Sequence, residues 1–74
     1  MMQDQILLHS MQEAVGFVTE VSDFPGFVGL YDKDVQLNGK SLISVLGLCI
    51  GKRFLIKTDT NRALLLERIS PYMV

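Results

Sequence analysis

The sequence predicts an α+β domain in which four short strands form one sheet and three helices cover one of its faces. The order of the segments predicts this class: they follow one another as strand, helix, strand, strand, helix, strand, helix. The size fits as well, because 74 residues, 49% of them hydrophobic, make one small domain with a single core. Helices that connect strands of one sheet cross over the same face, so we expect an open-faced βαββαβα sandwich over residues 1–74.

The first strand is predicted at Gln5–His9, and the first helix begins directly after it. Ser10 and Glu13 have the spacing of a capping box, in which the hydroxyl and the carboxylate each accept a hydrogen bond from a backbone N–H. Pro25-Gly26 ends this helix firmly. The apolar face that we expect to be buried comprises Met11, Ala14, Val15, Phe17, Val18 and Val21.

The middle of the chain predicts a hairpin and a short second helix. Phe27–Tyr31 and Val35–Leu37 are strand-like and are joined by three polar residues. The next segment, Leu37–Leu48, is a polar turn followed by an apolar run. Asn38-Gly39 marks the turn, because both residue types tolerate a positive φ. Gly47 is expected to end the helix, because glycine adopts the left-handed conformation at little cost.

The last part of the chain predicts a fourth strand and a third helix. The strand is expected at Arg53–Thr58 and the helix at Asn61–Ser70. Asp59 or Thr60 is expected to cap the helix, and Pro71 blocks its continuation.

The composition argues against several classes of function. The net charge is −1 and the seven basic residues are scattered, so the basic patch that nucleic-acid binding requires is missing. The single cysteine, Cys49, cannot form an internal disulfide and is expected in the core. The N-terminus lacks the layout of a signal peptide, and no run approaches the roughly 18 apolar residues of a membrane helix. We therefore expect a cytoplasmic protein that neither binds nucleic acid nor enters a membrane.

Neither a metal nor a cofactor is predicted. One histidine and one cysteine do not make a set of metal ligands. Gly39-Lys40-Ser41 ends like a phosphate-binding loop, but the upstream glycine is missing at the required spacing.

His9 is the only side chain whose ordinary pKa allows it to gain and lose a proton near neutral pH. It lies at the end of the first strand, directly before the capping residue Ser10. One interpretation is a phosphoryl acceptor supported by the N–H groups at the start of the first helix. The other is an ordinary histidine at a strand end.

Ser41 lies at the start of the second helix, with Lys40 beside it. A phosphate on Ser41 would meet free backbone N–H groups and the positive end of the helix dipole. Two interpretations remain open, a regulatory phosphorylation site and a serine that only caps the helix.

The second helix is too apolar to bury all of its large side chains. Leu42, Ile43, Val45 and Leu46 surround most of its circumference, whereas a two-turn helix can bury only one face. The exposed members predict a surface that binds other proteins. The alternative is that the C-terminal residues Tyr72-Met73-Val74 cover them.

Two segments carry a resemblance to a known family. Phe17-Val18-Thr19-Glu20 and Lys40-Ser41-Leu42-Ile43, together with the order of the elements, resemble HPr, the histidine phosphocarrier of the bacterial sugar phosphotransferase system. The resemblance runs from about Gln5 to Thr58. It implies a four-stranded antiparallel sheet with three helices on one face. It also implies protein partners, namely the enzymes of that system and a serine kinase.

The resemblance assigns roles to individual residues. It implies a regulatory serine at Ser41, and a docking surface formed by Leu42, Ile43 and Leu46 with Val15 nearby.

The phosphocarrier motif itself, a histidine followed two residues later by arginine and proline, is not present. Alignment through Phe17 puts Ser10 at the histidine position, Gln12 at the arginine and Glu13 at the proline, while His9 comes one residue early. A complete catalytic site is therefore not expected, and no enzymatic activity is assigned. The first hypothesis is a regulatory or protein-binding variant. The alternatives are a phosphocarrier that uses the displaced His9 and an interaction protein unrelated to sugar transport.

Overall fold

The computed structural model describes residues 4–74. Residues 1–3, which contributed to the prediction that no signal peptide is present, lie outside the described part of the chain. The predicted order of four strands and three helices is confirmed. The elements are β1 (Gln5–Leu7), α1 (Met11–Val21), β2 (Gly29–Asp32), β3 (Val35–Asn38), α2 (Leu42–Leu48), β4 (Arg53–Lys57), α3 (Arg62–Arg68) and a 3-10 turn (Ser70–Tyr72).

The four strands form one antiparallel sheet in the order β1-β4-β2-β3. The last strand is thus inserted between the first two, which is the interleaving of two halves expected from the element order. α1 packs against both α2 and α3, and α2 also packs against β3. The helices therefore lie side by side in the order α3, α1, α2. Within residues 4–74, none of the helices has the length and apolar character needed to cross a membrane.

The helices and one face of the sheet share a single core. Alternation along each strand creates this face: in β4, Phe54 and Ile56 are buried, whereas Leu55 points to the opposite side. Cys49 belongs to the core as expected, and burial raises the pKa of its thiol to about 11. The buried side chains are Ile6, Leu8, Ala14, Phe17, Val18, Val21, Phe24, Val28, Leu30, Val45, Cys49, Phe54, Ile56, Leu65 and Ile69.

The prediction that Gly47 ends the second helix is wrong. α2 continues through Gly47 to Leu48, and its C-cap, Cys49, is right-handed. The left-handed residue is Gly51, with a φ of 81°, in the turn that leads into β4. No atom lies within 4 Å of a Cβ built at Gly47, so no close approach requires a glycine there. The left-handed residue thus lies in the turn before β4 and not at the end of α2.

Asn38-Gly39 forms a turn, but neither residue has the positive φ that was expected. Asn38 ends β3, and its side-chain oxygen accepts a hydrogen bond from the Lys40 N–H at 2.9 Å. Gly39 is buried, and a Cβ there would lie 2.7 Å from Cγ1 of Val28. The glycine is needed for close packing of the backbone and not for a left-handed conformation.

The hairpin differs from the prediction in its boundaries. β2 begins at Gly29 and includes Asp32, which pairs with Val35. The connection is therefore two residues long instead of three. The left-handed conformation that such a tight turn requires falls on Lys33, with a φ of 53°.

The cap of the third helix also differs from the prediction. Asn61, and neither Asp59 nor Thr60, is the N-cap residue, and its side-chain oxygen accepts a backbone hydrogen bond at 3.0 Å. The Asp59 carboxylate instead accepts a hydrogen bond from the Phe27 N–H at 3.1 Å. This tertiary contact holds Asp59 away from the helix. The helix is also shorter than predicted, because Ser70–Tyr72 form the 3-10 turn.

Candidate protein-docking site

The orientation of α1 decides which of its apolar residues are covered. Tyr72, which follows α3, lies against Gly16 and meets the Phe17 ring edge-on, with 5.9 Å between the ring centroids. This flank of α1 therefore faces α3. Met11 and Val15, one helical turn apart, lie on the opposite flank, beside α2. They are 65% and 44% exposed, so the prediction that they belong to the buried face is wrong.

α2 buries only one side, as its length requires. Val45 is fully buried, and Leu46 is partly buried against the core. Leu42 is 40% exposed and Ile43 is 85% exposed. An isoleucine that is exposed to this degree contributes almost no burial energy to the stability of the fold.

The C-terminal residues do not cover α2. Met73 pairs with Ile6, and the Val74 N–H donates to the Gln5 carbonyl at 3.1 Å, so the tail extends along β1. β1 and β3 are opposite edges of the sheet, and α2 packs on the β3 side. The alternative that the tail buries the second helix is therefore wrong. The apolar patch, as we call this exposed surface, consists of Met11, Val15, Leu42 and Ile43.

Met11 is the member of the patch that the sequence did not identify. Its spacing to Ala14 and Val18 matches a buried helix face, and periodicity alone assigns it to the core. The signal that could have separated it is its place in the first turn of α1, at the margin of the contact with α2.

Ser41 is the N-cap of α2 and is half-buried. Its Oγ accepts a hydrogen bond from the Ser44 N–H at 3.5 Å and donates to the Ser44 hydroxyl at 3.2 Å. The ammonium group of Lys40 does not interact with Ser41, because it donates to the Phe24 carbonyl at 2.6 Å. Lys40 thus ties the start of α2 to the chain beyond the end of α1.

The corner that contains His9, Ser10 and Glu13 is a helix cap. Ser10 is the N-cap of α1, and its Oγ accepts from the Glu13 N–H at 3.2 Å. The Glu13 carboxylate accepts from the His9 backbone N–H at 3.0 Å and lies 3.2 Å from Nδ1 of the His9 ring. The capping box was predicted, but its carboxylate binds the N–H of His9 rather than that of Ser10.

The Glu13 carboxylate is hydrogen-bonded to Nδ1 of His9, whereas Nε2 of the exposed ring is open to solvent. The pKa of Glu13 is lowered, first by the hydrogen bond from the His9 backbone and then by the one from its ring. Gln12, where the resemblance would have an arginine, is exposed and uncharged. A negative carboxylate beside the imidazole opposes a phosphoryl group at Nδ1.

The turn after α2 approaches this corner, which the sequence did not reveal. The Gly51 N–H donates to the Leu8 carbonyl at 2.7 Å. The basic pair Lys52-Arg53 directly follows Gly51, and Gly51 binds the carbonyl of the residue before His9. Tertiary structure thus brings the turn after α2 next to the strand end that precedes His9.

Comparison with models of known protein families finds no match for the chain, and comparison with curated proteins finds no relative. The resemblance to HPr accordingly rests on the residues quoted above and on the βαββαβα layout, which the structure shares.

The contact between Glu13 and His9 predicts a pH dependence of stability. Because the pKa of Glu13 is lowered in the folded protein, its contribution is present above the ordinary pKa of about 4.5 and is lost as the pH falls through the lowered value. Glu13→Gln should therefore lower the unfolding midpoint at pH 6 and lose most of this effect at about pH 3. Thermal unfolding followed by circular dichroism measures both.

The matched control is Glu67→Gln, which removes one carboxylate from an exposed position of α3. Its effect should be smaller than that of Glu13→Gln at pH 6. A Glu13→Gln effect that is equal at both pH values would contradict the role given to the carboxylate.

Proposed function

We propose that this chain is an HPr-like regulatory protein that binds other proteins through the apolar patch, with Ser41 as its regulatory phosphorylation position. Its partners would be components of a bacterial sugar phosphotransferase system, and it would act in the cytoplasm. The observation that carries the proposal is the exposure of Ile43, at 85%, beside Leu42 on α2, the helix that packs against α1.

The chemistry of the patch supports a protein partner. α2 contains no charged residue, so no charged side chain of this helix lies beside Leu42 and Ile43. Protein interfaces are depleted of charge at their centre and gain their affinity from a few large side chains that become buried on binding. The patch has this composition, and its members lie on helices that are fixed by the core.

Ser41 would act as a switch because it lies next to the patch. It immediately precedes Leu42, so a phosphate on its Oγ would place about two negative charges beside an apolar surface. This phosphate would repel a negatively charged partner and would disfavour contact with an apolar one. Docking would therefore be weaker. The capping role of Ser41 is compatible with this, because a phosphate oxygen can also accept the Ser44 N–H.

The alternative of a phosphocarrier that uses His9 has one observation in its favour, the exposed position of the His9 ring at the start of α1. Against it stand the Glu13 carboxylate at Nδ1 and the uncharged Gln12. We therefore rank the carrier second. An interaction protein unrelated to sugar transport comes third.

Binding measurements with the patch variant Ile43→Asp test the proposal. The general phosphotransfer enzyme and the ATP-dependent serine kinase of such a system should each bind the wild-type chain in calorimetry or surface plasmon resonance. Ile43→Asp should weaken binding at least about tenfold, because it places a charge where a partner must exclude water. The folded state should be unaffected because the side chain is exposed.

Val35→Asp is the matched control. Val35 is also exposed, at 40%, but it lies on β3 and not in the patch. Its variant should bind like the wild type. Failure of both proteins to bind the wild-type chain, or equal weakening by the two variants, would contradict docking through the patch.

Intact mass spectrometry separates the three hypotheses. Incubation with the serine kinase and ATP should add one phosphate, which Ser41→Ala should not accept. Incubation with phosphoenolpyruvate and the general phosphotransfer enzyme should leave the mass unchanged, whereas the carrier hypothesis requires a phosphate that His9→Ala loses. If neither reagent modifies the chain and neither protein binds it, both hypotheses linked to sugar transport are contradicted, and the unrelated interaction protein gains support.

A further inference from the structure

The face of the sheet that points away from the helices carries a distinct set of side chains. We call it the open face. None of its strand residues is a carboxylate, although the chain as a whole is slightly acidic. These residues are Gln5, Leu7, Gly29, Tyr31, Gln36, Asn38, Arg53, Leu55 and Lys57.

The centre of the open face is apolar. Leu55 of β4 pairs with Tyr31 of β2, and Leu7 is at the β1 side. Gly29 has no side chain, and both the Tyr31 hydroxyl and the Phe27 ring lie over it: a Cβ there would be 2.6 Å from the Phe27 ring and 2.7 Å from the Tyr31 hydroxyl. Phe27 is 43% exposed. Two aromatic side chains and two leucines thus form a surface that is left uncovered by the helices of the described part of the chain.

The ends of β4 are positive. Arg53 and Lys57 are both exposed and lie on the same side of the strand as Leu55, about 13 Å apart at the usual rise per residue. Lys57 Nζ lies 5.1 Å from the centre of the Tyr31 ring. Within residues 4–74, the ion pairs use other basic groups, and neither Arg53 nor Lys57 takes part in one.

We propose that the open face binds an acidic segment of another protein, one that presents an apolar side chain to Leu55 and Tyr31 and carboxylates to Arg53 and Lys57. An apolar centre with a charged rim is the usual composition of a protein interface, and both ends of β4 contribute positive charge to this rim. The nearby Asp59 carboxylate is engaged by the Phe27 N–H. A carboxylate is the group that complements the positive rim. The open face lies on the opposite side of the sheet from the apolar patch, so both partners could be bound together.

A nucleic acid fits this surface less well. Binding of single strands depends on several phosphate contacts along a basic groove, whereas the strands of the open face provide two basic side chains in a chain of net charge −1. The rings of Tyr31 and Phe27 are surfaces on which a base can stack, so the shortage of phosphate contacts is what counts against a nucleic acid.

The test is an NMR titration of the ¹⁵N-labelled protein with a blocked peptide that has two leucines flanked on each side by three aspartates. Amide signals of β4 and β2 should shift while those of α2 do not. Binding should weaken at least about tenfold in Arg53→Glu and in Lys57→Glu, because each reversal replaces an attraction by a repulsion. Raising the salt concentration to about 0.5 M should weaken it further, because exposed charges are screened.

Lys52→Glu is the matched control, because Lys52 is an exposed basic residue in the turn just outside β4. Its variant should bind the peptide within a factor of about two of the wild type. The same peptide with lysine in place of aspartate should not bind, and neither should an oligouridylate of about ten nucleotides. The amide spectrum of each variant reports whether it is folded.

Three results would overturn the proposal. The first is the absence of shifts at millimolar peptide, and the second is a set of shifts confined to α2. The third is oligouridylate binding as tight as that of the acidic peptide, which would make the open face a site for single-stranded nucleic acid.

Discussion

Phe17→Ala should lower the free energy of unfolding by about 3–5 kcal/mol, the typical cost of removing a fully buried ring. Phe17 has no exposed surface, lies on the helix that packs against both of the others, and meets Tyr72 edge-on. A domain of this size has a total stability of roughly 0.05–0.15 kcal/mol per residue, so the loss is a large part of the whole. Urea unfolding followed by circular dichroism measures it.

The control for this prediction is Phe27→Ala, which removes the same ring from an exposed position on the open face. It should cost less than Phe17→Ala, because Phe27 is already 43% exposed to water in the folded protein. Equal losses in the two variants would contradict the full burial of the Phe17 ring.

Val45→Asp should leave the protein largely unfolded at pH 7. Val45 is fully buried in the middle of α2, and an ionised carboxylate there would lose its hydration without gaining a partner. The pKa of the introduced carboxyl would be raised in the folded state, so the destabilisation is greatest at neutral pH and decreases toward about pH 4. Hydrogen exchange or urea unfolding at the two pH values measures this.

Ile43→Asp, two residues earlier in the same helix, is the matched control. Ile43 is the most exposed large apolar residue of the described chain, so the same substitution should change the free energy of unfolding by less than about 0.5 kcal/mol. A strongly destabilised Ile43→Asp would mean that the apolar patch belongs to the core and is not available to a partner. The pair therefore separates the stabilising face of α2 from the face assigned to docking.

The resemblance implies two functional regions, the corner at His9 and the surface at α2, and the two differ in this chain. The corner at His9 is organised as a helix cap, in which Ser10 and Glu13 satisfy backbone N–H groups and Glu13 also occupies the imidazole. The surface at α2 keeps large apolar side chains that contribute little to the core. This contrast is why we rank protein binding above phosphate transfer.

Much of the fold could be predicted from local sequence. Capping by Ser10, the helix that follows it and the strand at β4 depend on residues close together in the chain, and the structure contains all three. The errors occur where a distant contact overrides a local preference. Asp59 does not cap α3, because it binds the Phe27 N–H, and Gly39 is required by Val28 and not by its own turn.

The candidate site could be predicted only in part. That α2 must expose something follows from its length and composition, and Leu42 and Ile43 are indeed exposed. The sequence did not show which residues of α1 lie beside them. Periodicity cannot distinguish the flank of a helix that packs against another helix from the flank that is exposed to water. Met11 was assigned to the core for this reason.

The sequence by itself determined the order and type of the elements, the cap at Ser10 and the surplus of apolar residues in the second helix, because these depend on neighbours along the chain. Only the tertiary structure decided that the C-terminal tail pairs with β1 and leaves α2 uncovered, that Lys40 binds the Phe24 carbonyl, and that Gly51 binds the Leu8 carbonyl at the end of β1. These contacts join residues far apart in the chain, and their existence depends on how the whole sheet and its helices pack.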